Sequence, residues 1–241
     1  MEIGIIAEGK GDCAVLQNIL MGIFPELDEE DIRFLRPDFN LDNTDKAAYA
    51  NMQADEFGSW TLVKKDCLEQ VKFQRFLDSP ILGERYIIVQ IDTAECEEKG
   101  YDVVRPDKKS EDYCTVLREL VIGKIDEWLQ GTWTAQIHYA ICIEEMEAWV
   151  HTLYETKDTS RSITAKETFQ KIVSKKRKTD KKFDKKIKNL KTEFDLSLFL
   201  SKDFRKICSK KNINKLANNE SLKTFVLSFA TNKDIDEKLF A

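Results

Sequence analysis

Three short apolar runs dominate the first 150 residues of the chain. They cover residues 2–7, 86–91 and 137–143, are rich in isoleucine, and lack a regular alternation of polar positions. Runs of this kind predict strands that are buried on both faces of a parallel sheet. A weaker run at residues 32–35 predicts one more short strand.

Apolar residues at helical spacing lie between these strands and after them. A glycine-containing turn at residues 8–12 leads into the first helix, and Asp12 is placed to cap it. Strands that alternate with helices predict an α/β fold with a mostly parallel sheet. The expected units are an α/β core at 1–150 and a basic helical region at 151–241 that packs on it. The other helical segments are 61–77, 111–129, 166–176, 180–192, 196–211 and 219–230.

The net charge of -5 hides an uneven distribution along the chain. Residues 1–150 carry 15 Lys and Arg against 31 Asp and Glu, whereas residues 151–241 carry 23 against 12. Hydrophobic residues make up 42% of the chain, which is enough for a packed core. The asymmetry indicates an acidic site in the first part and a surface for a polyanion in the second.

Acidic residues follow each of the three main strands. Glu8 follows the first, Asp92 follows the second, and Glu144, Glu145 and Glu147 follow the third. Ligands bind at the carboxyl ends of strands in open α/β sheets, so these side chains are expected to converge at one edge. Carboxylate oxygens suit Mg²⁺ or Mn²⁺. Solvated turn acids, or acids that favour a helix N-terminus, would produce the same pattern.

Four short segments resemble Toprim-like nucleases of the OLD/Toprim type, in particular small stand-alone members associated with antiphage defence. IIAEGKGD at 5–12 looks like the first Toprim motif, a strand followed by Glu, Gly and a helix. IVQIDTA at 88–94 looks like the second motif, in which a strand ends in Asp-x-Asp. CIEEMEAW at 142–149 and NNESLKTF at 218–225 are similar to later segments of the stand-alone members.

The resemblance implies a Rossmann-like core and a Mg²⁺-dependent endonuclease. Glu8 would be the general acid/base close to the metal, and Asp92 would be a metal ligand. Further acids of the site would come from Glu144, Glu145 and Glu147. The substrate would be DNA or a structured, tRNA-like RNA, and the setting antiphage defence with a partner ATPase.

Ala94 departs from the Toprim pattern, because it stands where the second Asp of Asp-x-Asp is expected. Alanine cannot bind a metal. Three explanations are open. Glu95 or Glu97 replaces the missing Asp as a ligand, the protein is a natural homologue that has lost catalysis, or Ala94 is an engineered, inactivating substitution. The alternative function is therefore a non-catalytic, Toprim-like binding or regulatory subunit that associates with an ATPase.

The C-terminal part contains a dense run of basic residues at helical spacing, which is the electrostatic footprint of nucleic-acid binding. Lys predominates over Arg, so phosphate contacts with little sequence readout are expected. A solubilising surface, or one that docks on the acidic part of a second copy in a homo-oligomer, is the competing interpretation. The predicted nucleic-acid-binding residues are Lys10, Lys175, Lys176, Arg177, Lys178, Lys181, Lys182, Lys185 and Lys186.

The cysteine pattern and the N-terminal residues indicate where in the cell the protein is expected. Six scattered cysteines and two histidines show no spacing typical of a zinc site, and we expect buried, reduced thiols. No apolar run is long enough to span a membrane, and no signal peptide is visible. A cytoplasmic protein is expected. A nucleotide phosphotransferase is disfavoured because the GxxxxGK[ST] spacing is missing around Lys10.

Overall fold

The computed structural model describes residues 1–37, 59–80, 83–209 and 216–229. Within these ranges the sheet has four strands in the order β2-β1-β3-β4, and every neighbouring pair is parallel. Helices cover both faces, so the predicted α/β class is confirmed and the arrangement is compatible with a Rossmann-like core. The strands are β1 (Glu2–Ile6), β2 (Ile32–Arg36), β3 (Arg85–Asp92) and β4 (Ile137–Cys142).

The described helices alternate with the strands up to residue 151 and then follow one another without a further strand. The first group is α1 (Lys10–Ile23), α2 (Ser59–Glu69), α3 (Val71–Leu77), α4 (Tyr113–Trp128) and α5 (Glu147–His151). The second group is α6 (Ala165–Thr179), α7 (Lys181–Lys188), α8 (Glu193–Ser201), α9 (Phe204–Ile207) and α10 (Glu220–Ser228). Single 3₁₀ turns at Glu29–Asp31 and Thr134–Gln136 precede β2 and β4.

The strands are apolar on both sides because the sheet separates two cores. Successive side chains of a strand point to opposite faces. Ile5 and Ile88 lie in a core that α1 closes, whereas Ile6 and Val89 lie in a core formed with residues of α2, α3 and α4. All four isoleucine and valine side chains are fully buried. The two-sided burial predicted from the apolar runs is therefore what the structure has.

The helices after residue 151 share the first of these cores rather than forming a separate one. Phe204, Leu222 and Phe225 are fully buried in it together with residues of β1 and α1. The indole of Trp149 stacks on Phe225 with ring centroids 5.5 Å apart, and its N–H donates to Ser221 Oγ at 2.8 Å. The basic part of the chain is thus packed on the α/β part through a common apolar interior.

Two helical predictions differ from the structure. The segment 61–77 is not one helix, because Gln70 adopts a left-handed backbone conformation (φ 54°) and separates α2 from α3. The segment 196–211 begins earlier, at Glu193, and is divided into α8 and α9. Residues 210, 211 and 230 of the predicted helices lie outside the described residues.

All six cysteines are buried and free, as the sequence predicts. Across the described ranges, no helix has the length and apolar character that crossing a bilayer requires.

Candidate functional site

The ends of β1 and β3 bring the first two predicted site residues together. Glu8 lies two residues beyond β1, and Asp92 is the last residue of β3, the neighbouring strand. The backbone N–H of Asp92 donates to Glu8 Oε1 at 2.6 Å. Gln90 lies between them: its Oε1 accepts the backbone N–H of Glu8 at 2.9 Å, and its Nε2 donates to Asp92 Oδ1 at 2.8 Å. The two carboxylates are therefore fixed to each other.

Asp12 joins this pair from the first turn of α1. Its Oδ2 accepts the backbone N–H of Gly9 at 2.8 Å, so it caps the helix from the third helical residue, whereas the predicted N-cap position is occupied by Gly9. It also faces other carboxylates: burial raises the pKa of Asp12 well above its ordinary value, and the negative charges of Glu8 and Glu147 raise it further. The sequence analysis did not include Asp12 in the site, because its capping role explains an acid at this position equally well.

Glu147 completes the group from α5, which follows β4. Burial raises the pKa of Asp92 well above its ordinary value, and Glu8, Asp12 and Glu147 add to the rise. Burial also raises the pKa of Glu147 itself, while Lys166 opposes the rise. We call Glu8, Asp12, Asp92 and Glu147 the acidic cluster. Its members come from three chain segments that meet at the carboxyl edge of the sheet.

A small cleft of about 70 Å³ opens beside the acidic cluster. Asp12, Glu147 and Glu193 provide its acidic lining, and Phe169 is among its apolar residues. Glu193 belongs to α8, which packs closely on the start of α1: a Cβ atom at Gly11 would lie 3.0 Å from Ser197 Oγ. Glu193 is a further acid that the sequence analysis did not place at the site.

Glu144 and Glu145 do not join the acidic cluster, although both are predicted as metal ligands. Glu144 is buried with a left-handed backbone (φ 65°), and its carboxylate pairs with Arg105 at 2.8 Å and Lys108 at 3.3 Å. Glu145 accepts the backbone N–H of Lys166 at 2.9 Å, in the first turn of α6. Both carboxylates therefore have structural partners, and Glu147 is the acid after β4 that faces the cluster.

Ala94 is exposed in the turn after β3. Its backbone N–H donates to the carbonyl of Glu144 at 3.1 Å, and its carbonyl accepts from Arg105 at 2.9 Å. Glu97, one of the two residues considered as a replacement ligand, turns instead to Arg105 at 3.5 Å. Glu95 lies near Glu145, whose charge contributes to raising the pKa of Glu95, after burial as the main cause. Position 94, where the Toprim pattern has an Asp, therefore faces solvent in this chain.

The predicted nucleic-acid-binding residues lie mainly on α6 and α7, which we call the basic helix pair. Asp180 ends α6 and caps α7 by accepting two backbone N–H groups. Three of the predicted residues have contacts within the fold: Lys176 lies 4.7 Å from the ring centre of Tyr154, Arg177 pairs with Asp184 at 2.8 Å, and Lys186, although exposed, lies 5.8 Å from the ring centre of Phe199. Lys10 is exposed at the first residue of α1. The other predicted residues are also exposed, namely Lys175, Lys178, Lys181, Lys182 and Lys185.

The basic helix pair starts beside the acidic cluster. The first turn of α6 is held by Glu145, and Phe169 of α6 lines the same cleft as Asp12 and Glu147. A helix of 15 residues extends ~22 Å from that point. The chain therefore carries its densest run of positive charge on helices that begin next to the half-buried carboxylates of the acidic cluster.

The donor chemistry of the acidic cluster fits a hard divalent cation. Its ligating atoms are carboxylate oxygens, and burial together with the neighbouring carboxylates raises the pKa values of Asp12 and Asp92, so a bound cation would favour their ionised forms. Among the described residues, no three Asp, Glu, His or Cys side chains already stand in an arrangement that holds a metal ion. Repulsion between ionised carboxylates keeps such groups apart until a cation neutralises them.

No protein-family model, curated protein or solved structure matches the chain.

The acidic cluster should make the protein less stable as the pH rises. Because the pKa values of Asp12, Asp92 and Glu147 are raised in the folded state, that state binds more protons than the unfolded chain above pH ~4. The free energy of unfolding should therefore fall from pH ~4 to neutral pH. In EDTA at neutral pH, Asp12→Asn should raise the free energy of unfolding by about 1 kcal/mol. The same substitution should make the free energy of unfolding less dependent on pH. Urea denaturation at several pH values measures both effects.

Asp184→Asn is the matched control for this experiment. Hydrogen bonds from Lys188 and Arg177 lower the pKa of Asp184, so its charge favours the folded state at neutral pH. Its replacement should not stabilise the protein. Equal effects of the two substitutions would mean that Asp12 does not experience the repulsion described above.

Proposed function

We propose that this chain is a metal-dependent nuclease that hydrolyses phosphodiester bonds of DNA or structured RNA. The observation that carries the proposal is the meeting of Glu8, Asp12, Asp92 and Glu147 at the carboxyl edge of a parallel sheet, with raised pKa values for three of them. Half-buried carboxylates that repel one another cost free energy, and perturbed pKa values concentrate at functional sites. The Toprim-like motifs around Glu8 and Asp92 support the same interpretation.

The residues of the cluster would divide the work as follows. Asp92, Asp12 and Glu147 would hold Mg²⁺ or Mn²⁺, and Glu8 would bind beside it or transfer a proton. The cation would supply an activated water and neutralise charge on the phosphate. Gln90 would hold the Asp92 carboxylate and the backbone of Glu8 in fixed positions through the hydrogen bonds already described. The exposed Ala94 would contribute nothing to the cation.

The basic helix pair supports nucleic acid as the substrate. Six of its predicted contact residues are exposed lysines, and lysine ammonium groups bind phosphates as point charges rather than reading base edges. The first turn of α6 lies beside the cleft, and the lysines farther along the basic helix pair would hold the backbone of a nucleic acid that reaches the acidic cluster. A cytoplasmic antiphage role with a partner ATPase belongs to the proposal through the Toprim resemblance alone.

Charge reversal on the basic helix pair should weaken binding to nucleic acid. The double substitution Lys178→Glu with Lys182→Glu should lower affinity for a duplex of random sequence tenfold or more at 100 mM salt, and should reduce the salt dependence of binding. Fluorescence anisotropy over a range of salt concentrations measures both. Lys65→Glu with Lys223→Glu, on α2 and α10, is the control with the same charge change, and it should have a much smaller effect. Equal losses in the two variants would contradict a specific role for α6 and α7.

A second candidate function is favoured by Ala94: a non-catalytic subunit that retains the cation and the nucleic-acid surface. Cleavage of plasmid DNA, single-stranded DNA and folded RNA with Mg²⁺ and Mn²⁺ tests the two candidates. The nuclease proposal predicts cleavage that EDTA abolishes, by the chain itself or by the Ala94→Asp variant. Cation binding without cleavage in either form would support the non-catalytic subunit.

A further inference from the structure

Gln90 is a polar side chain in the centre of an apolar strand. It is fully buried on β3, and the adjacent residues Val89 and Ile91 belong to the core on the opposite face of the sheet. A buried amide costs free energy unless its polar atoms are hydrogen-bonded. Both polar atoms of Gln90 are satisfied: Oε1 accepts from the backbone of Glu8, and Nε2 donates to Asp92 and has a longer contact, 3.9 Å, with Cys142 Sγ in the core.

The hydrogen bonds also determine which way the Gln90 amide faces. Its Oε1 must accept the backbone N–H of Glu8, so its Nε2 necessarily faces Asp92 and donates to Oδ1. Asp92 Oδ2 has only a longer contact, 3.4 Å from the backbone nitrogen of Met146. The amide therefore occupies one oxygen of Asp92 and leaves the other directed away from it.

We propose that Gln90 is a positioning residue that sets the orientation of Asp92 and Glu8 for a divalent cation. The inference rests on the proposed function. Hydrogen bonds from outside the ligand set orient ligating carboxylates, and their loss typically weakens metal affinity 10–100-fold. Gln90 provides such a hydrogen bond to Asp92 and fixes the backbone from which the Glu8 side chain extends.

Mn²⁺ affinity of the 241-residue chain, measured by calorimetric titration, tests the inference. Gln90→Met keeps the length of the side chain and removes both hydrogen bonds, and we expect it to weaken Mn²⁺ binding tenfold or more. The control is Asn18→Leu, which removes another fully buried amide: Asn18 donates to the carbonyl of Leu198 at 2.9 Å and to Ser201 Oγ at 2.8 Å. Both substitutions should lower the melting temperature, but Asn18→Leu should leave Mn²⁺ affinity unchanged.

Gln90→Asn keeps the inference testable if Gln90→Met fails to fold. It retains the amide on a side chain one methylene shorter, which cannot reach both the Glu8 N–H and Asp92 Oδ1, so it should also bind Mn²⁺ at least tenfold more weakly. Wild-type affinity in a folded Gln90 variant would overturn the positioning role while leaving the proposed function intact. No Mn²⁺ binding by the unaltered chain would instead contradict the proposed function, and the inference with it.

Discussion

Asp92→Asn should abolish the stabilisation of this protein by Mn²⁺ or Mg²⁺ and reduce any cation-dependent cleavage a hundredfold or more. A cation that binds only the folded state raises the free energy of unfolding by about 2.7 kcal/mol when its concentration is a hundred times the dissociation constant. The unaltered chain should show this increase. The Asp92 carboxylate accepts from Gln90 at 2.8 Å and lies among three other acids, so its loss should affect the cation most.

The same substitution should not destabilise the protein in EDTA, and this separates loss of a ligand from loss of structure. Burial and three neighbouring carboxylates raise the pKa of Asp92, so a neutral amide relieves repulsion in the folded state. Thermal melts with EDTA and with increasing Mn²⁺ measure both effects. Asp126→Asn is the control: Asp126 accepts a hydrogen bond from Tyr139 and is not part of the acidic cluster. It should leave the Mn²⁺ effect as in the unaltered chain.

Glu144→Gln should destabilise the protein by about 3 kcal/mol. The side chains of Glu144 and Arg105 are only 6% and 11% exposed, and they pair at 2.8 Å. Removing the Glu144 charge would leave the Arg105 guanidinium with the more distant and exposed carboxylate of Glu97, at 3.5 Å, as its counter-charge. The Arg105 guanidinium also holds the carbonyls of Thr93 and Ala94, so this ion pair ties the turn after β3 to the turn after β4.

Urea denaturation measures this loss, with Glu127→Gln as the control. Glu127 pairs with Lys124 at the same distance of 2.8 Å, but its side chain is 67% exposed. Exposed pairs contribute little, so the control should lose less than about 1 kcal/mol. If Glu144→Gln lowered the free energy of unfolding by no more than the control does, the ion pair of Glu144 with Arg105 would not stabilise the fold. Glu144 would then again be a candidate metal ligand.

The strands and the fold class could be predicted because two-sided burial leaves a clear trace in the sequence. Ile5 and Ile88 need an apolar core on one face, and Ile6 and Val89 need one on the other, so the runs are continuously apolar. The break between α2 and α3 at Gln70 could not be predicted in this way. Glycine or proline usually marks such a break, whereas the residue with the left-handed backbone here is a glutamine.

The candidate site was predictable only in part. Strand order brings Glu8 and Asp92 together, and both were found from their positions after strands. Glu144 and Glu147 cannot be distinguished by that rule, because the left-handed backbone that directs Glu144 to Arg105 exists only in the folded chain. Asp12 was assigned a capping role, which it has, but its second set of neighbours depends on α1 lying against β1 and α5.

The position of a bound cation tests the central claim most directly. A crystal structure grown with Mn²⁺, with anomalous data collected to locate the ion, would show which oxygens hold it. We expect an anomalous density peak for Mn²⁺ at the carboxyl edge of the sheet. The ion should be bound by Asp92 and at least two of Glu8, Asp12 and Glu147, with Glu144 still paired to Arg105. A folded chain with no peak at that edge, or with the ion held by Glu144 instead, would contradict it.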